Sequence, residues 1–171
     1  MRLLICAGGT GGGVYPALAV LERLQEDMKD LTVLWIGGDG GMEAQLVERA
    51  AIPFKTIPAA GLHGVDLRRV PGNLQKLVRG VTASRRILKE FRPDVLFFTG
   101  GFVAVPMALA GRKIPSVLFV PDIEPGLALK MIARFAHRIA IIADESKKFF
   151  SHQKRLVCTG YPTRTSLAGW S

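Results

Sequence analysis

Short, almost wholly apolar runs alternate along this chain with stretches of helical period, and that alternation restricts the fold more than any other feature. Arg2–Cys6, Thr32–Ile36, Phe54–Ile57, Asp94–Phe98, Ser116–Val120, Arg138–Ile142 and Arg155–Cys158 read as strands. Asp94–Phe98 is apolar after its first residue, the pattern of a central parallel strand buried on both faces. Helical patterns lie between them, over Pro16–Met28, Met42–Ala50, Leu74–Phe91, Gly101–Ala110 and Leu127–Ala136, with a short helix from Asp144 to Phe150. Pro16 suits a first helical turn, and Leu18, Leu21 and Leu24 recur at helical spacing. The repetition predicts an α/β domain, a Rossmann-like doubly wound parallel sheet. A length of 171 residues with 49% apolar residues supports one domain, or one half of a two-domain protein. Residues 59–73 have no clear period and are expected to form a long loop, which in such domains is often functional. The domain is expected to span residues 1–160, with 161–171 as the start of a linker or tail.

The first strand runs into Ala7-Gly8-Gly9-Thr10-Gly11-Gly12-Gly13, five glycines in six positions. Backbone N–H groups in such a turn approach a ligand closely, and the following helix directs its positive end at the same spot. The combination suits a phosphate or pyrophosphate. A P-loop would need Gly-Lys-Ser/Thr where Gly13-Val14-Tyr15 stands. A dinucleotide fingerprint begun at Gly9 would need Gly or Ala at Val14, and Asp39, the available ribose-binding acid, lies beyond a glycine pair. A tight turn for helix–sheet packing is the plain structural alternative, but packing alone requires fewer glycines. Thr99-Gly100-Gly101-Phe102-Val103 follows another buried strand at the same structural level. Ligands of open α/β sheets sit outside the carboxyl ends of the strands, so two such loops together outweigh either alone.

Net charge is +9, from 23 Lys+Arg against 14 Asp+Glu, which suits a phosphorylated substrate, nucleic acid or an anionic membrane surface. Much of the excess lies in Arg68, Arg69, Lys76, Arg79, Arg85, Arg86, Lys89 and Arg92, interleaved with apolar residues such as Leu74 and Leu77. A basic loop and helix of this kind fits anionic lipid headgroups. The scarcity of aromatic residues there disfavours single-stranded nucleic acid. An ordinary solvated helix face remains the alternative. Asp122 and Glu124 follow the fifth strand, where a carboxylate serves either as a general base or as a helix-terminal acid. His63, His137 and His152 lack ligand spacing. Cys6 and Cys158 read as buried, reduced thiols of a cytosolic protein; no metal or cofactor is expected. The first apolar stretch is too short for a signal peptide, and no window approaches the roughly 20 apolar residues of a membrane span.

Ala7-Gly8-Gly9-Thr10-Gly11-Gly12 followed by Val14-Tyr15-Pro16-Ala17-Leu18-Ala19 resembles the opening of the MurG-like glycosyltransferases of family 28. Further markers come in the family's order: Gly41-Met42-Glu43-Ala44-Gln45-Leu46-Val47, Gly61-Leu62-His63-Gly64, Arg92-Pro93-Asp94-Val95, Gly100-Gly101-Phe102-Val103 with Pro106, and Thr159-Gly160-Tyr161-Pro162-Thr163-Arg164. The resemblance implies the acceptor-binding, amino-terminal half of a GT-B fold. It implies transfer of N-acetylglucosamine from UDP-N-acetylglucosamine to a lipid-pyrophosphate-linked acceptor at the cytoplasmic membrane face. The nucleotide sugar would then need a carboxyl-terminal donor domain or separate subunit, which these residues do not supply, and the chain alone would be inactive. The implied acceptor-phosphate cradle is Gly9, Thr10, Gly11, Gly12, Gly13, Gly100, Gly101 and Phe102, and the implied membrane-facing set is Arg68, Arg69, Leu74, Lys76, Leu77 and Arg79. Two places depart from the family pattern. Gly13 stands where the first loop normally ends in His, and Phe119-Val120-Pro121-Asp122 replaces a His-Glu-Gln-Asn segment. Asp122 is thereby the candidate base. A non-catalytic lipid-phosphate or membrane-binding module and a nicotinamide-dependent oxidoreductase domain are the competing readings.

Overall fold

The computed structural model of the chain describes residues 1–9, 11–41, 43–59 and 70–163. Its strands are β1 (Arg2–Ala7), β2 (Thr32–Gly38), β3 (Phe54–Ile57), β4 (Val95–Gly100), β5 (Ser116–Val120), β6 (Arg138–Ile141) and β7 (Leu156–Cys158). Its helices are α1 (Gly11–Asp27), α2 (Glu43–Arg49), α3 (Val70–Phe91), α4 (Ala104–Ala110) and α5 (Leu127–Ala133), followed by 3-10 turns over Asp144–Phe149 and Gln153–Arg155. The strands form one parallel sheet in the order β3-β2-β1-β4-β5-β6-β7. This is the doubly wound arrangement that the alternation predicts. Winding reverses between β1 and β4, and the loops leaving those two strands diverge to opposite sides, opening a crevice between them.

Side-chain alternation divides the core. Leu3, Ile5 and Ala7 of β1 face one side with Val14, Leu18, Trp35 and Phe97. Leu4 and Cys6 face the other with Phe98, Met107, Leu118 and Ile132. Residues Leu4 to Ala7 are wholly buried, as a strand covered on both faces requires. Trp35 anchors the first layer, and its indole Nε1 donates to the Ala7 carbonyl at 3.0 Å, fixing the point where β1 ends.

The structure corrects the sequence reading at several boundaries. Helix α1 begins at Gly11, and Pro16 lies inside it rather than in its first turn. The glycines are poor helix formers, but tertiary contacts outweigh that: Val14 is fully buried, and Thr99 Oγ1 donates to the Gly13 carbonyl at 2.6 Å. Helix α3 begins at Val70, inside the stretch 59–73 expected as a loop, and residues 60–69 of that stretch lie outside the described residues. Cys6 is buried as expected, but Cys158 is exposed, because β7 is an edge strand. Among the described residues no helix is long and apolar enough to cross a membrane.

Candidate functional site

A cavity of about 500 Å³ opens at the carboxyl ends of β1, β4 and β5, at the switch point of the sheet. Gly8, Gly9, Gly12 and Gly13 line it from the β1–α1 turn, and Thr99, Gly100, Gly101 and Phe102 from the β4–α4 turn. Pro121 and Asp122 follow β5, and Gly126 to Leu129 supply the wall from the start of α5. The floor is mostly main chain. The first-turn N–H groups of α1, which have no intrahelical partner, belong to its positive end.

The two glycine turns touch backbone to backbone. Gly101 has φ of 81°, and a Cβ there would strike the Gly8 carbonyl; a side chain is therefore refused by both conformation and space. Behind the first turn lies Glu43, the first residue of α2, which is 1% exposed. Its Oε1 accepts from the Gly38 N–H at 2.8 Å and its Oε2 from the Gly9 N–H at 3.2 Å. Among the described residues no ion pair reaches it. Burial pushes the Cys6 thiol pKa up, and the charge of Glu43 adds to that shift.

Of the residues singled out as a phosphate cradle, Gly9, Gly12, Gly13, Gly100, Gly101 and Phe102 come together around this cavity, and Asp122 joins them. Gly11 does not line it, and Thr10 lies outside the described residues. One expectation needs correction. The Gly9 N–H already donates to a buried carboxylate, so it is not a free donor for an external phosphate. Asp122 is exposed, and among the described residues none pairs with or hydrogen-bonds its carboxylate. Sequence reading passed over Glu43 and Thr99 as site residues, although both stood inside quoted motifs. A Glu in the first turn of a short helix that follows two closely spaced glycine pairs, Gly37-Gly38 and Gly40-Gly41, was the available signal.

On α3, Leu74 and Val78 are 53% and 59% exposed and lie one turn apart on one face; Lys76 and Arg79 are exposed on other sides of the same helix. Leu77 does not belong to that face: it is half-buried and packs on the core, so Val78 replaces it beside Leu74. Arg68 and Arg69 lie outside the described residues.

Known proteins share this arrangement. The chain is 34% identical over 168 residues to a UDP-N-acetylglucosamine–N-acetylmuramyl-(pentapeptide) pyrophosphoryl-undecaprenol N-acetylglucosamine transferase of Alkaliphilus oremlandii, covering 96% of this chain and 46% of that one. The enzyme of the same name from Desulforudis audaxviator is 38% identical over 173 residues, covering 98% and 45%. The chain thus spans about half the length of the curated relatives it matches. The crystal structure of MurG from Acinetobacter baumannii superposes with a TM-score of 0.76 at 25% identity, over 98% of this chain and 47% of that one. A UDP-GlcNAc 2-epimerase from Methanocaldococcus jannaschii, with a TM-score of 0.65 at 14% identity over 94% of this chain and 46% of its own, shares the fold alone. The sequence profile of the Glycosyltransferase family 28 N-terminal domain matches residues 3–141, and the chain belongs to that family.

Proposed function

We propose that this chain is the acceptor-binding half of a hexosyltransferase that moves N-acetylglucosamine from UDP-N-acetylglucosamine to a lipid-pyrophosphate-linked acceptor. The observation that carries the reading is the main-chain cavity at the β1/β4 switch point, in a member of family 28. A pyrophosphate fits a floor of glycine backbone beneath the positive end of α1. Phe102, Leu127 and Leu129 offer an apolar wall for the adjoining part of the acceptor.

In this reading the cradle is Gly12, Gly13, Gly100, Gly101 and Phe102, with Gly9 shaping the turn. Asp122 takes the proton of the acceptor hydroxyl as general base. The nucleotide sugar is held by a carboxyl-terminal domain or a separate subunit. The enzyme works in the cytoplasm, at the inner face of the plasma membrane, with Leu74 and Val78 of α3 turned to anionic lipid and the charges of Lys76, Arg79, Arg68 and Arg69 adding attraction. The absence of His at position 13 gives the non-catalytic binding module its one specific support.

Titration of the chain with farnesyl pyrophosphate, UDP-N-acetylglucosamine and NADH, followed by backbone amide NMR, tests the reading. Farnesyl pyrophosphate is expected to shift Gly12, Gly13, Gly100 and Gly101 saturably, and the other two to shift nothing. Saturable NADH binding, or no response to farnesyl pyrophosphate, overturns it.

A further inference from the structure

The glycines around Glu43 are arranged for its carboxylate. A Cβ built at Gly8 or at Gly41 would collide with the Glu43 carboxyl group, whereas one at Gly37 would strike the Phe54 ring first, at 2.6 Å, and lie 2.8 Å from Glu43 Oε1. Two glycines from two separate turns, Gly8 and Gly41, thus clear space for one buried side chain. Gly41 does not line the cavity, so no ligand there explains it. Each carboxylate oxygen accepts a main-chain N–H, one from the turn after β1 and one from the end of β2. A buried carboxylate is costly unless hydrogen bonds replace its lost water, so these two bonds hold both turns firmly. Gly9, pinned in this way, keeps φ of 88°, and its neighbour Gly8 supports Gly101 of the second turn.

We propose that Glu43 is a positioning residue for the acceptor site. Its carboxylate locks the β1–α1 turn from behind, so that the first-turn N–H groups of α1, and not the Gly9 N–H, meet the bound pyrophosphate. The ligand half of this proposal rests on the acceptor-binding reading; the lock itself does not. Two effects of Glu43 on a bound anion oppose each other. Its negative charge repels the anion, and its hydrogen bonds shape the cradle. Replacing Glu43 by Gln keeps the size and removes the charge, but leaves one acceptor oxygen for two N–H donors. If charge dominates, affinity rises; if positioning dominates, it falls.

The test uses the full chain, with Glu43→Gln and Gly41→Ala, each first matched to the parent by circular dichroism. Gly41→Ala presses on the carboxylate from outside the cavity and so perturbs the lock while Glu43 stays in place. In the free proteins both variants are expected to move the Gly9 and Gly38 amide resonances and to leave those of β6 and β7 unchanged. With farnesyl pyrophosphate as the probe, Glu43→Gln is expected to bind about tenfold more weakly, the scale of one lost hydrogen bond. Unmoved Gly9 and Gly38 resonances in the folded variants overturn the lock. Equal or tighter binding by Glu43→Gln overturns its role in the site. Moved resonances in the variants, with no binding by the parent chain, support the lock and overturn the acceptor-site reading instead.

Discussion

Thr99 Oγ1, at the end of β4, donates a buried 2.6 Å hydrogen bond to the carbonyl of Gly13 in the first turn of α1. The bond joins residues 86 positions apart across the switch point and sets how far α1 stands from the second glycine turn. Thr99→Val keeps the shape and removes the donor. Urea unfolding is expected to register a loss of about 1–2 kcal/mol, and Thr99→Ser, which keeps the hydroxyl, a smaller one.

Gly13 and Gly101 line the same cavity but differ in what they allow. A Cβ on Gly13 would meet Thr99 O at 3.4 Å and Oγ1 at 3.5 Å, ordinary contact, in helical backbone. Gly13→Ala is therefore expected to be neutral or to stabilise by up to about 1 kcal/mol, and Gly13→His to fold. Gly101→Ala is expected to destabilise by at least about 1–3 kcal/mol, from positive φ and collision with Gly8 together. Thermal melts of the two Ala variants check the contrast in sign.

Asp122→Asn removes the proposed base without changing its size. Assayed with a donor-binding half supplied, it is expected to lower kcat about a hundredfold or more and to leave KM for the acceptor nearly unchanged. Turnover equal to that of the parent removes Asp122 from the chemistry.

Much of the architecture was legible because period and burial determine it. The strand cores of β1, β2, β4 and β5 and the helical connections between them follow from apolar runs that alternate with stretches of helical period. The start of α1 was not legible, because helix propensity counts against three glycines and only contacts from Val14 and Thr99 reverse the balance. The cavity was legible as two glycine turns at one end of a sheet. The engagement of Gly9 was not, because Glu43 reaches it from 34 residues away in sequence. Leu77 and Val78 are adjacent in sequence, and which one faces the core depends on how α3 is rotated about its axis.

That rotation separates two effects on α3. Leu77→Ser is expected to destabilise the fold by about 1–3 kcal/mol, whereas Leu74→Ser stays within about 0.5 kcal/mol of the parent in denaturant. Phosphatidylglycerol vesicles are expected to sediment the chain at low salt and release it near 1 M, where screening acts within about 3 Å. Lys76→Ala with Arg79→Ala should weaken that retention about tenfold or more, each such cation being worth about 1 kcal/mol. Retention unaffected by salt and by these substitutions would remove α3 from the membrane contact.

The two cysteines should separate under thiol reagents. Cys158 is exposed and reacts in the native state at pH 8; Cys6, wholly buried with its thiol pKa raised, reacts only on unfolding. The pH dependence has a definite sign. Above about pH 8.5 the unfolded chain ionises Cys6 and the folded chain does not, so the contribution of this residue to stability falls as pH rises. Cys6→Ala is expected to flatten that alkaline decline in urea midpoints.

Apart from Gly13, a floor made of backbone atoms offers evolution almost nothing to vary. Substituting a glycine of the two touching turns changes the shape of the turn rather than its chemistry, as the Gly8–Gly101 contact requires. On the proposed reading, any drift in which molecule this half accepts must therefore run through Gly13 and the rim, at Phe102, Asp122, Leu127 and Leu129, while the rest of the floor stays the same. A library built on those four positions would explore acceptor choice with the anchoring point held constant.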